Sequence, residues 1–274
     1  MVLEILVNPK KVTGKPWEMF FIGAVYSLVG VLLGYWVFRS YVSIIMVTFT
    51  TIAAIPFVLS AINSEGQKGR TLSRGSLLRE HGKIISMFTF LFLGFVTVFF
   101  SLFVFLPSTA VTEIFSSQIS SINEVRTAVT GNFIAEVPTM LKILLNNFKV
   151  LFFCIIFSLF YGSGALFILA WNASVMGAAI GVGIRSGLSS SLYGNVQAFA
   201  TSLLGYFAHG IPEIIAYFVA GLAGGIISFA IMKEKFGSKA FRKISLDATS
   251  LVIFAIIILI LAALIEVFVS PTVL

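Results

Sequence analysis

Long apolar runs separated by short polar or basic stretches organise the chain. Residues 1–18 form a polar head in which Lys10, Lys11 and Lys15 precede Pro16 and Trp17, and a tryptophan there suits an interfacial anchor. The apolar run 20–38 follows, with Gly30 and Gly34 at the spacing of a close helix contact. A tight turn at Arg39-Ser40 leads to a second run, 42–62, where Pro56 predicts a kink. The pair reads as a transmembrane hairpin. A third run, 84–106, is rich in phenylalanine and ends at Pro107. The segment 107–147 is amphipathic, with apolar positions near helical spacing in two groups, and predicts two short helices outside the bilayer.

Two further apolar stretches are too long for one perpendicular crossing. The run 148–184 would span about 55 Å as a straight helix, against a hydrocarbon core of about 30 Å. Its predicted break is Tyr161-Gly162-Ser163-Gly164, where glycine frees the backbone. The second half carries Trp171, Asn172, and Gly177 and Gly181 in a small-residue pattern. After a polar loop at 185–195, the run 196–232 is interrupted by Pro212, which removes a backbone donor. The expected arrangement is a half-helix over 196–209 and a full span from Pro212 onward. A last span covers 246–269. The count is seven crossings, with six as the rival.

Composition narrows the class further. Of 274 residues, 58% are apolar and only 11% charged, and mean hydropathy is +1.06. Soluble domains are typically about a quarter charged, so these residues could not cover a soluble surface. The fold class is therefore all-α: a polytopic helical membrane protein of 6–7 transmembrane helices with broken or re-entrant segments. Continuous rather than alternating runs argue against a transmembrane β-barrel. The net charge of +7 comes largely from two basic clusters. One lies in 63–83, read as a polar loop that includes His81, to which no chemistry is assigned. The other is Lys233, Lys235, Lys239, Arg242 and Lys243. The positive-inside rule places both clusters, and the N-terminus, in the cytoplasm of a multi-pass cell-membrane protein. No cleavable signal peptide is evident, and nucleic acid is not an expected partner. The lone Cys154 reads as a small buried hydrophobe.

The chemistry-bearing stretch is Tyr206-Phe207-Ala208-His209-Gly210-Ile211-Pro212-Glu213. In a helix His209 and Glu213 lie one turn apart on one face. Both are costly in hydrocarbon, so the pair is the candidate functional site by default. Ala216, Ala220 and Gly224 continue that face with small residues, which belong against protein. Asn172 and Asn147 complete the expected intramembrane polar cluster. Gly162, Gly164, Gly177, Gly181, Gly210, Pro212, Ala220 and Gly224 are the expected hinge and packing positions.

Asn146-Asn147 ahead of a span, Gly162-Ser163-Gly164, Trp171-Asn172 followed by Gly177, and His209-Gly210-Ile211-Pro212-Glu213 with Ala220-Gly221 resemble the stage II sporulation protein M family. The resemblance covers about residues 130–265. In endospore-forming bacteria it implies a membrane scaffold that holds cell-wall hydrolases during engulfment; relatives also occur in organisms that make no spores. The expected organisation is an N-terminal transmembrane part over 1–106, an external segment over 107–147 and a family-like core over 148–274.

Three uses of the pair remain open on the residues alone. It could tie helices together, carry a proton or ion in a small-solute or ion transporter, or hold a metal in an intramembrane metalloenzyme with His209 and Glu213 as candidate ligands. The metal reading lacks a second histidine in any span, and zinc catalysis needs about three protein ligands. Serine catalysis with His209 lacks a Gly-x-Ser-x-Gly element before the histidine. The leading expectation is a non-enzymatic scaffold without cofactor. Its expected partners are the lipid bilayer, other membrane or envelope proteins and, optionally, a second copy of the chain in a homo-oligomer.

Overall fold

The computed structural model describes residues 15–71, 74–130, 136–161, 163–188 and 192–268; within its helices only the backbone is described at 66, 68–71, 74–80, 124–130, 136–139, 142, 161, 186–188, 192–209 and 268. The described residues form nine α-helices and no strand: α1 Glu18–Val37, α2 Val42–Thr71, α3 Arg74–Phe105, α4 Ser108–Ile114, α5 Ser116–Thr130, α6 Glu136–Tyr161, α7 Ala165–Leu188, α8 Leu192–Lys233 and α9 Lys239–Phe268. A 3-10 turn, Arg39–Tyr41, joins α1 to α2. Seven of these helices contain a stretch long and apolar enough to cross a membrane. They form a polytopic all-α bundle.

In lipid, burial of apolar area gives helices no reason to associate, because the surroundings are as apolar as the core. What separates inside from outside here is side-chain size. The inward face of α1 is Met19, Gly23, Tyr26, Ser27, Gly30, Val31 and Gly34, whereas Phe21, Val25, Leu32 and Trp36 point outward. A methyl group on Gly23 would run into the Leu91 carbonyl of α3, and one on Gly94 into the Phe20 carbonyl of α1. The two backbones touch at these reciprocal glycines. Gly177 and Gly181 of α7 lie in the same way against Val96, Phe99, Phe100 and Phe103 of α3. Gly224 of α8 lies against the Ile155 carbonyl and Ser158 of α6.

The helix at the centre is α8, which packs on α9, α6, α7, α2 and α3. Its spanning part, Gly210–Lys233, is 83% buried, the highest share of the seven spans. Ala216, Ala220 and Ala223 are fully enclosed, so neighbours reach the α8 backbone closely.

Several boundaries differ from the pattern-based expectations. The predicted break at Pro212 is absent: α8 runs unbroken for 42 residues with Pro212 inside it. A membrane helix absorbs an internal proline by bending and by satisfying the freed carbonyl locally, so the loss of one donor did not end it. At about 63 Å such a helix is twice the hydrocarbon thickness, so part of it extends beyond a perpendicular crossing. The 63–83 stretch is helical rather than a loop through Thr71 and again from Arg74. Its Glu, Gln, Lys, Arg and Leu residues favour helix, and polarity alone does not unwind a chain that leaves the membrane. The second amphipathic helix expected before 147 is continuous with the next span as α6. The break after Tyr161 is present, with α7 starting at Ala165; Gly162 lies outside the described residues. The polar loop of 185–195 shrinks, since α7 reaches Leu188 and α8 begins at Leu192.

The glycine contacts make a steric prediction. Gly94→Ala presses its methyl into a backbone carbonyl and should destabilise the protein by about 1–3 kcal/mol, as overpacking does. Gly82 has nothing within 4 Å of an added Cβ, so Gly82→Ala should be neutral or stabilise by up to about 1 kcal/mol through helix propensity. Thermal unfolding of the two variants in detergent distinguishes them.

Candidate functional site

Three helices bring polar groups together near one end of the bundle. Asn147 lies on α6, Glu213 on α8 and Glu266 near the end of α9. α6 and α8 run parallel and α9 antiparallel, which brings the three to the same end of the bundle. Asn147 Nδ2 donates to Glu213 Oε1, and Asn147 is 7% exposed. The Glu213 and Glu266 carboxyl groups lie within hydrogen-bond reach of each other. Two carboxyl groups hydrogen-bond only through a proton held between them. Tyr217, one turn on from Glu213 and 2% exposed, lies within electrostatic range of both carboxyls and of Cys154. The arrangement can hold or hand on one proton, and it can equally tie α6, α8 and α9 in register.

The other sequence-derived members fare differently. The backbone of α8 is helical through both 209 and 213, but the His209 side chain, and so its pairing with Glu213, lies outside the described residues. Asn172 Nδ2 donates 2.7 Å to the Ile168 carbonyl, one turn back on its own helix. Its amide serves α7 rather than the carboxyl pair. Gly210 lies against the flexible tip of Met176, and Pro212 is half-buried beside Glu213. Among the described residues no group of three His, Cys, Asp or Glu side chains is arranged to hold a metal ion.

Sequence reasoning missed Glu266. It lies near the end of the last apolar run, and no spacing in the sequence ties it to Glu213. Two further clusters were also missed. At the opposite end, which carries most of the described lysines and arginines, His81 is buried between Glu65 and Asp247. On the α4–α5 side, Arg39 Nε lies 2.5 Å and Nη2 3.2 Å from the two Glu113 carboxylate oxygens. Ser43 and Ser117 hydroxyls meet at 2.7 Å, and Gln118 Nε2 donates 3.1 Å to both the Ser43 carbonyl and Ser174 Oγ. Arg185 donates to the Leu106 carbonyl, satisfying an acceptor that the end of α3 leaves open.

Two amide deletions separate the groups that matter. Asn147→Ala removes the donor that faces Glu213 and should cost about 1–2 kcal/mol, near the upper range for intramembrane hydrogen bonds. Asn172→Ala loses only a bond back onto its own helix and should change stability by less than about 0.5 kcal/mol. Melting temperatures of the two variants, measured in the same detergent, give the comparison.

Comparison with known proteins agrees with this architecture. The family described as Stage II sporulation protein M matches residues 23–271. An uncharacterized protein of Methanocaldococcus jannaschii is 27% identical over 158 residues, which is 56% of this chain and 84% of that protein. No solved structure matches.

Proposed function

The chain belongs to the stage II sporulation protein M family, and from that premise we propose that it is a non-enzymatic membrane scaffold that organises membrane or envelope proteins. The observation that supports this reading most is the fixing of α4 and α5, which lie between crossings and span nothing themselves. Phe115 is fully buried against Phe99 and Phe103 of α3. Arg39–Glu113, Ser43–Ser117 and Gln118–Ser174 then pin the same pair of helices to the α1–α2 turn, α2 and α7. Exposed Thr109, Thr112, Ser116 and Ser120 face away from that latch. A rigid polar surface standing on a rigid bundle is what an assembly partner needs, because docking then costs little ordering entropy. In this reading the Lys/Arg-rich end faces the cytoplasm and α4–α5 face outside, following the charge bias. The division into 1–106, 107–147 and 148–274 then separates a membrane anchor, a docking segment and a family core.

A photoreactive residue placed at Ser116 or Ser120 in living cells tests the scaffold directly. Both positions should capture the same envelope protein, and a probe at lipid-facing Phe153 should not. Capture at neither α5 position contradicts the reading. The latch also has a pH signature. The Arg39 guanidinium beside Glu113 holds that carboxyl below the ordinary glutamate range. Its contribution is therefore complete above the unfolded value near 4.3 and is lost as pH falls through the lower folded value. Proteolysis between α4 and α5 should rise in that acidic window in the native protein. In Arg39→Gln it should already be raised at neutral pH.

The contact of Glu213 with Glu266 favours a second reading, a proton-coupled transporter, since a proton path through lipid needs more than one ionisable group. Proteoliposomes loaded with a pH-sensitive dye decide between the two. The scaffold reading expects no protein-dependent proton flux; flux that disappears in Glu213→Gln and Glu266→Gln supports transport.

A further inference from the structure

His81, the histidine in the stretch read from sequence as a polar loop, is 2% exposed, and both of its ring nitrogens face carboxylates. Nε2 lies 2.9 Å from Asp247 Oδ2 in hydrogen-bond geometry. Nδ1 lies 3.0 Å from Glu65 Oε1, close enough for an ion pair but out of line for a hydrogen bond. The carboxylate side chains are themselves enclosed, Glu65 at 0% and Asp247 at 13% exposure. The three residues come from α2, α3 and α9, so the cluster joins helices far apart in sequence.

A neutral imidazole has one N–H and one lone pair. Whichever tautomer forms, one nitrogen would aim its lone pair at a carboxylate oxygen about 3 Å away. An imidazolium presents an N–H to each carboxylate and makes both contacts attractive. We propose that Glu65, His81 and Asp247 form a proton-binding site, and that the bound proton holds the start of α9 against α2 and α3 at the Lys/Arg-rich end of the bundle.

Water can reach the site. The partial exposure of Asp247 gives a route outward. The other described charged groups at this end are Lys83 on α3, Lys233 at the end of α8, Glu234 and Lys235 in the turn after it, Lys239, Arg242 and Lys243 on α9, and Lys15 and Glu18 at the start of α1. Their excess of positive charge opposes the proton on the ring. The carboxylates in direct contact favour it, and they act at the shortest distance, where Coulomb attraction is greatest. The reaction is a proton transfer only: a ring N–H gives its proton to water, and the lone pair left behind faces a carboxylate. Rising pH therefore loosens α9, and falling pH fastens it.

Nitrogen NMR on 15N-histidine-labelled protein in lipid nanodiscs reads the ring directly. With only two histidines in the chain, His209→Gln assigns the signals. Both His81 nitrogens should be protonated at pH 8, where a free imidazole is almost entirely neutral. A singly protonated ring at pH 8 that gains its second proton only as a free imidazole does overturns the proton-binding site. Asp247→Asn should shift the ring to the singly protonated form. It should also speed hydrogen exchange in the first turns of α9 by at least about tenfold, because a charge-assisted hydrogen bond is lost. If the ring changes and exchange does not, the site binds a proton without holding α9, and the proposed coupling is wrong.

Discussion

Hydrocarbon supplies no hydrophobic force between helices, and the fold depends on how it answers that constraint. The answer is steric: glycines and alanines let backbones meet, and larger side chains are left to lipid. Gly23 and Gly94 are reciprocal, each positioned where a methyl group would strike the other helix's backbone. Gly177 and Gly181 repeat the device between α7 and α3, and Gly224 repeats it between α8 and α6. Dispersion over such contacts is large because atoms pack at close range along the whole crossing. A surface of small residues is smooth, however, and does not by itself choose a register.

Polar contacts near the ends supply the register. Asn147, Glu213 and Glu266 fix α6, α8 and α9 at one end, and Glu65, His81 and Asp247 fix α2, α3 and α9 at the other. Each group is costly in lipid unless it finds its partners. A one-residue slip or rotation would strand several of them at once. α9 is common to both clusters, so it is held at both ends although only 33% of its spanning stretch is buried. In the proposed scaffold, packing and function connect through this rigidity, since the polar α4–α5 surface is only as well placed as the bundle beneath it.

The span pattern was legible because lipid thickness and hydropathy act on every residue alike. The Gly162–Gly164 break was legible for the same reason: the run around it is too long and its backbone too free. Pro212 misled because the soluble-protein rule, that proline ends a helix, is relaxed where neighbouring helices and lipid hold the chain. The 63–83 stretch misled because polarity marks where a helix leaves the membrane, not where it stops. Glu213 and Asn147 were readable as isolated costs in hydrocarbon. Glu266, the companion of Glu213, and Asp247, the companion of His81, were not, because they become partners only through three-dimensional neighbourhood, which one sequence without a repeat does not encode in its spacing. Asn172 shows the converse, a polar residue in the right stretch whose bond closes within its own helix.

The claim on which the account rests is that α8 and α9 are locked by contact between Glu213 and Glu266. Replacing both with cysteine in a Cys154→Ala background and treating native membranes with a short bifunctional thiol reagent measures that contact directly. The account predicts an efficient intramolecular cross-link in the double variant and none in either single variant. Failure to cross-link while both thiols still react with a small alkylating reagent would show that the two positions do not face each other.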